Sequence, residues 1–319
     1  MFTKNERFIF LFVLLTLLPF TNNIVWENDA SRIATAESVV DWGRLEITNS
    51  TFAPKTDKIL VDGKYYSNKH FMSVLPAVMS YAVLSVANVK IASNSPTAIY
   101  LINILSVGLA TSLFAVIFRR LLLESGMPKK KSTLFSLMLI YATPVLNYSV
   151  TYNNHILSAF INLCSFYFLK RFTVKRNMYD LLMCGLLMGY GIGVDLPSGI
   201  VFSAVFIFYL LGKNITLKQM KHYFIGLIPP VLLFFAVNYL VFSSVYPDYF
   251  NPQYYHYTGS QFFTSSEATL DGETLQVTRT SYILNMLFGG QGFFTHTPLL
   301  LLSAFSLIAI ASDKKSRFR

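Results

Sequence analysis

Residues 97–118 read TAIYLINILSVGLATSLFAVIF, with no acidic or basic side chain among them, and Arg119-Arg120 follow at once. A bilayer core takes about 20 apolar residues per helix, within a range of about 17–25, so this stretch predicts a membrane-crossing helix closed by cations at one end. The composition points the same way. Of 319 residues, 53% are hydrophobic and only 13% charged, against about 25% charged in soluble domains. The expected fold is an all-α polytopic membrane protein.

Working outward from 97–118, comparable runs lie at 8–25, 132–149, 154–170, 179–194, 197–212, 223–243 and 297–312, which makes eight spans in all. Two further apolar stretches, 71–89 and 281–295, are interrupted by Pro76, Asn88, Asn285 and Gly289-Gly290, and are read as interfacial. With the amino terminus inside, the cations of Lys4 and Arg7, 119–131, 170–176, 213–221 and 314–319 all fall in the cytoplasm. If 71–89 alone were added as a span, most of them would move outside. A start outside with 71–89 spanning also satisfies the charge rule. Lys4 and Arg7 before the first helix, with Trp26-Glu27-Asn28-Asp29 after it, favour the internal start. No small-residue cleavage site follows residues 20–25, so the first helix reads as an uncleaved anchor in the plasma (inner) membrane.

The chain then divides into a first span (8–25), an outer loop (26–96), six spans (97–243), a second outer loop (244–296), a last span (297–312) and a basic cytoplasmic tail (313–319). In the first outer loop, residues 28–43 have a cap-type start and a glycine stop. Ile33, Ala36 and Val40 share one face, which suits a helix lying on the membrane surface. Lys58–Val61 and Lys64–Tyr66 flank Asp62-Gly63, a hairpin signal because both residues tolerate positive φ. The net charge of +10 comes in short clusters between apolar runs, so nucleic acid is not an expected partner. Cys164 and Cys184 lie in apolar runs and are read as packing residues. No phosphate loop, HExxH, nucleophile elbow or internal repeat occurs.

Several features together resemble the C-type (GT-C) membrane glycosyltransferases, in particular the bacterial mannosyl- and aminoarabinose-transferase branch related to protein O-mannosyltransferases. An acidic residue follows the first span and stands three before an arginine. After it come DKILVDGKYYSNKH (57–70), YNNH (152–155), GVDLP (193–197) and LFGGQGFFTHTP (287–298). The order of these motifs carries the likeness. It implies a donor in which a sugar is linked to polyprenyl phosphate, an outward-facing site in the cell envelope, and inversion at the anomeric carbon. The acceptor, whether glycan, lipid or protein, stays open.

On that resemblance Asp29 is the general base, and Arg32, Lys69 and His70 hold the donor phosphate. Asn154, His155, Asp195, Gln291 and His296 contact substrate. A divalent metal, Mg or Mn, would draw on Asp29, Asp195 and His155. Relatives often carry an acidic residue where this chain has Asn153, Asn154 and His155, and an arginine where it has Gln291. They also continue through more spans, so this chain is expected to be a short member.

Each residue also has a plainer reading. Asp29 suits a helix cap, Arg32 and Lys69 suit interfacial snorkelling, and Asp195 suits a cap for the helix at Pro197. No histidine pair has helical metal spacing. Tyr254–Tyr257 fits an aromatic belt. The competing functions are a transporter or lipid-linked-glycan flippase and a noncatalytic remnant of the family. A transporter would place helix breaks and charges near mid-membrane in two related halves, and none is visible here.

Overall fold

The computed structural model describes residues 2–213, 215–247, 250–260, 269–270, 273–274, 278–290 and 292–312. Helices dominate: α1 (Lys4–Leu17), α2 (Glu27–Trp42), α3 (Phe71–Val86), α4 (Ile91–Asn103), α5 (Leu109–Glu124), α6 (Lys129–Tyr141), α7 (Val145–Tyr148) and α8 (Asn154–Lys175). After them come α9 (Met178–Val194), α10 (Leu196–Gly212), α11 (Leu217–Phe242), α12 (Arg279–Phe288), α13 (Phe293–His296) and α14 (Leu299–Ser312).

Among the described residues, two helical stretches are long and apolar enough to cross a membrane. One is Leu217–Phe242; the other is Ile91–Glu124, in which α4 and α5 run on through a π turn at Ile104–Gly108. A third candidate is the pair Thr280–His296 and Leu300–Ala309, bent by 99°. The remaining stretches expected as spans all carry helix, but α1 and α6 are 14 and 13 residues long, and α9 and α10 are 17 each. The 132–149 stretch is not one helix. It stops at Tyr141, and the chain turns at Thr143-Pro144 into the short α7, because proline cannot continue the hydrogen-bond ladder.

Glycine sets the closest helix pair. A Cβ at Gly185 would lie 1.9 Å from the Tyr223 carbonyl oxygen, one at Gly189 2.3 Å from that of Leu227, and one at Gly226 2.1 Å from that of Leu182. The backbones of α9 and α11 therefore touch, as small residues allow in membrane helix pairs.

The segment between α1 and α4 folds onto one end of this bundle. Strands β1 (Lys58–Val61) and β2 (Lys64–Ser67) pair antiparallel around Asp62 (φ 48) and Gly63 (φ 76). Helix α2 departs from the surface-helix expectation. Every residue from Asp29 to Ser38 is buried, not one apolar face alone. The reason is polar: fully buried Glu37 accepts hydrogen bonds from Ser50 Oγ (2.5 Å), Thr51 N (3.0 Å) and Thr51 Oγ1 (2.7 Å), tying the 44–56 segment over the helix. On the other side Ile33 and Ala36 join a core with Val74, Ala77, Ile102 and Ile156, so α2 is clamped between the loop and the bundle. Helix α3 buries Val74, Ala77 and Tyr81 and exposes Met79, Val83 and Val86.

Candidate active site

The start of α2 meets the start of α8 and the α9–α10 junction. Asn153 caps α8 by accepting from Ile156 N, which brings Asn154 and His155 to its first turn. Asp195 is the break between α9 and α10. Arg32 joins the two regions. Its Nη1 donates to the carbonyl (3.0 Å) and side-chain oxygen (2.7 Å) of Asn28, and its Nη2 donates to Asn154 Oδ1 (2.7 Å). Asn154 Nδ2 in turn donates to Asp195 Oδ2 (3.3 Å), and His155 Nδ1 lies 4.0 Å from that same oxygen.

These groups line a cleft of about 290 Å³, together with Asn68, Lys69, His70, Ser73, Gly193 and Phe234. Lys69 Nζ is 3.3 Å from Asp57 Oδ2. Burial pulls the Arg32 guanidinium below its ordinary pKa, opposed by Tyr152 and the carboxylates of Asp29, Asp57 and Asp195, and its Nε has no hydrogen-bond partner among the described residues. A buried cation on the cleft wall favours an anion in the cleft.

His70 plays a different part from the expected phosphate ligand. Its Nδ1 accepts from Met72 N (3.2 Å) as the cap of α3, and Nε2 meets the Phe234 carbonyl oxygen at 3.2 Å. Burial pushes its pKa down to about 4, so the imidazole is neutral and both nitrogens are taken.

Asp29 stands just behind the cleft wall, 6% exposed. Oδ1 accepts from Trp26 N (2.8 Å), so Asp29 is the third residue of α2 reaching back to its N-cap and not the N-cap itself, and Oδ2 accepts from Thr151 Oγ1 (2.9 Å). Burial raises its pKa against those two hydrogen bonds. Thr151 lies on the wall of a second cavity, of about 990 Å³, lined also by Thr143, Asn147, Tyr148, Phe293 and His296. The carboxylate thus sits between two cavities, with Asn28 and Arg32 toward one and Thr151 toward the other.

The site residues expected from sequence therefore divide. Arg32, Lys69, His70, Asn154, His155 and Asp195 share the cleft, His296 lines the second cavity, and Gln291 lies outside the described residues. Asp29 is not beside Asp195 and His155, and among the described residues no three His, Cys, Asp or Glu side chains converge. The described donors do not fit the expected divalent-metal set. Asn28, Thr151 and Phe234 were not singled out from sequence. Asn28 had a usable signal, the i, i+4 spacing to Arg32; the other two had none.

Next to the cleft, Phe71, Met72, Leu75, Leu186, Leu187, Tyr190, Pro229, Pro230 and Leu233 line an almost wholly apolar groove of about 470 Å³. The two are neighbours through His70-Phe71 and Leu233-Phe234. At the join, a Cβ on Gly193 would lie 2.2 Å from Met72 Sδ.

Apolar helices of crossing length carrying a polar cleft at one end define the class, an α-helical membrane protein. The model of the dolichyl-phosphate-mannose-protein mannosyltransferase family matches residues 75–240, a little more than half of the chain. The chain belongs to that family, whose members are C-type glycosyltransferases. No curated protein and no solved structure matches it. The matched segment contains Asn154, His155 and Asp195, while Asp29, Arg32 and Lys69 precede it.

Proposed function

We propose that the protein transfers a sugar from a polyprenyl-phosphate donor to an acceptor hydroxyl at the extracytoplasmic face of the plasma membrane, with inversion. The observation that carries this reading is the adjacency of cleft and groove. A cation-lined polar cavity opens beside an apolar one, which suits a molecule with an anionic head and a hydrocarbon tail. Arg32 and Lys69 balance the phosphate charge, which grows as the bond from the anomeric carbon to the phosphate oxygen breaks. Phosphate is already a good leaving group, so no strong acid is required.

The acceptor hydroxyl attacks the opposite face of the anomeric carbon and must lose a proton. Asp29 takes it, with its proton affinity raised by burial, which suits a general base. The acceptor enters by the Thr151 cavity, whose aromatic and hydroxyl-bearing walls suit a polar substrate. A second reading assigns the base to Asp195, because that carboxylate lies on the cleft wall itself. Membranes supplied with polyprenyl-phosphate sugars separate the two. Asp29→Asn lowers transfer at least about a hundredfold while protein abundance is kept, and Asp195→Asn retains most of it. The reverse ranking moves the base to Asp195, and undiminished transfer in both variants overturns the catalytic reading.

A further inference from the structure

At the other end of the bundle lies a cluster that the transfer reaction does not use. Helix α6 runs from Lys129 to Tyr141, and the chain continues through α7 to Thr151 beside Asp29, so the first turn of α6 is remote from the candidate active site. That turn is Lys129-Lys130-Lys131, three exposed cations at the helix end whose dipole already favours negative charge, and no side chain caps it. Beside it, Arg119 is buried at 3% exposure, donates Nε to Thr133 Oγ1 (3.0 Å), and forms no ion pair among the described residues. The nearby acid cannot offset this charge. Glu6 is held by Arg120 through two hydrogen bonds, Nε to Oε1 at 2.7 Å and Nη2 to Oε2 at 3.1 Å.

Between α1 and this turn is a cavity of about 310 Å³, lined by Asn5, Phe8, Ile9, Lys129, Lys130 and Thr133. From it an exposed apolar surface continues along both helices, through Leu11 and Leu15 on one and Leu134 and Phe135 on the other. Cations at the mouth of a cavity that continues into an apolar surface match one chemistry, a phosphate ester carrying acyl chains. We infer that this cavity binds the headgroup of an anionic phospholipid from the leaflet opposite the transfer site, with the acyl chains lying along α1 and α6. The bound phosphate offsets Lys129 and Lys130 on the cavity wall, and pins α1 to the α5–α6 turn.

The test compares the whole protein with Lys129→Gln/Lys130→Gln and with Lys218→Gln/Lys221→Gln. The second pair removes the same charge from exposed positions on the first two turns of α11. Each protein is placed in phosphatidylglycerol or phosphatidylcholine nanodiscs, delipidated into detergent and weighed by native mass spectrometry, and its thermal midpoint is read in both lipids. The expected result is one retained phosphatidylglycerol in the wild type and the α11 variant, lost from the α6 variant. The stabilisation by phosphatidylglycerol over phosphatidylcholine should fall by at least half in the α6 variant alone. Equal retention in all three proteins overturns the site. Full stabilisation of the wild type in phosphatidylcholine by millimolar inorganic phosphate overturns the lipid assignment. Neither readout involves sugar transfer, so the outcome is independent of the function proposed above.

Discussion

Arg32 Nη2 donates to Asn154 Oδ1 at 2.7 Å, a hydrogen bond between residues 122 positions apart that joins α2 to the start of α8. The same amide donates to Asp195. One neutral side chain therefore holds a buried cation and a carboxylate on the wall of one cleft, bridging two charges that form no direct ion pair.

Asn154→Ala should leave the protein folded and weaken donor binding. Losing one partner of a charged donor at a buried site costs about 1–3 kcal/mol. The expected result is a rise in donor KM of roughly tenfold, with a smaller change in kcat. Steady-state kinetics with purified enzyme would show it, and an unchanged KM would detach Arg32 from the donor phosphate.

Asp29 predicts a pH profile. A base must be ionised to accept a proton, and burial raises the pKa of this carboxyl above 3.8. The acid limb of kcat/KM should therefore have its midpoint above the ordinary aspartate range, with activity falling as pH drops. Asp29→Asn should lower kcat by about 10²–10⁴ and remove that limb from the residual rate. A residual rate with the wild-type limb intact would assign the titration to another group.

His70 predicts a stability window of opposite origin. Its pKa is depressed from 6.5 to about 4 in the folded chain, so the unfolded state takes up the proton first as pH falls. Its contribution is complete above pH 6.5 and is lost progressively towards pH 4. Melting in detergent across that range should show a steeper loss for wild type than for His70→Gln. Parallel curves would mean that the imidazole is not held neutral.

Gly189→Ala places a methyl 2.3 Å from the Leu227 carbonyl oxygen, and only a backbone shift of α9 against α11 relieves it. Overpacking of this kind costs about 1–3 kcal/mol. The expected result is a clearly lower thermal midpoint, whereas Gly212→Ala, with open space at its Cβ, should change little. Equal midpoints would show that the two helices are not in backbone contact.

Much of the local structure was legible from residues alone. The 97–118 run lies within the Ile91–Glu124 helix, and Asp62-Gly63 forms the tip of a two-stranded hairpin. The character of α2 was not legible. Its pattern of Ile33, Ala36 and Val40 suits one apolar face, yet Glu37 is buried because Ser50 and Thr51 come over to it from a separate turn. Of the site, residue types and segments were readable, but the division between cleft and second cavity was not. Asp29 and Asp195 look alike as outer carboxylates, and only packing sets one behind the wall and the other on it.

By itself the sequence determined a helical membrane protein with cations clustered at the ends of apolar runs, because hydropathy and turn chemistry act over a few neighbouring residues. The tertiary structure alone decided which polar groups meet. Arg32, Asn154 and Asp195 lie far apart along the chain, and the approach of α2 to α8 and α9 brings their polar groups together. Burial of Arg32 then makes its hydrogen-bond partners a matter of necessity.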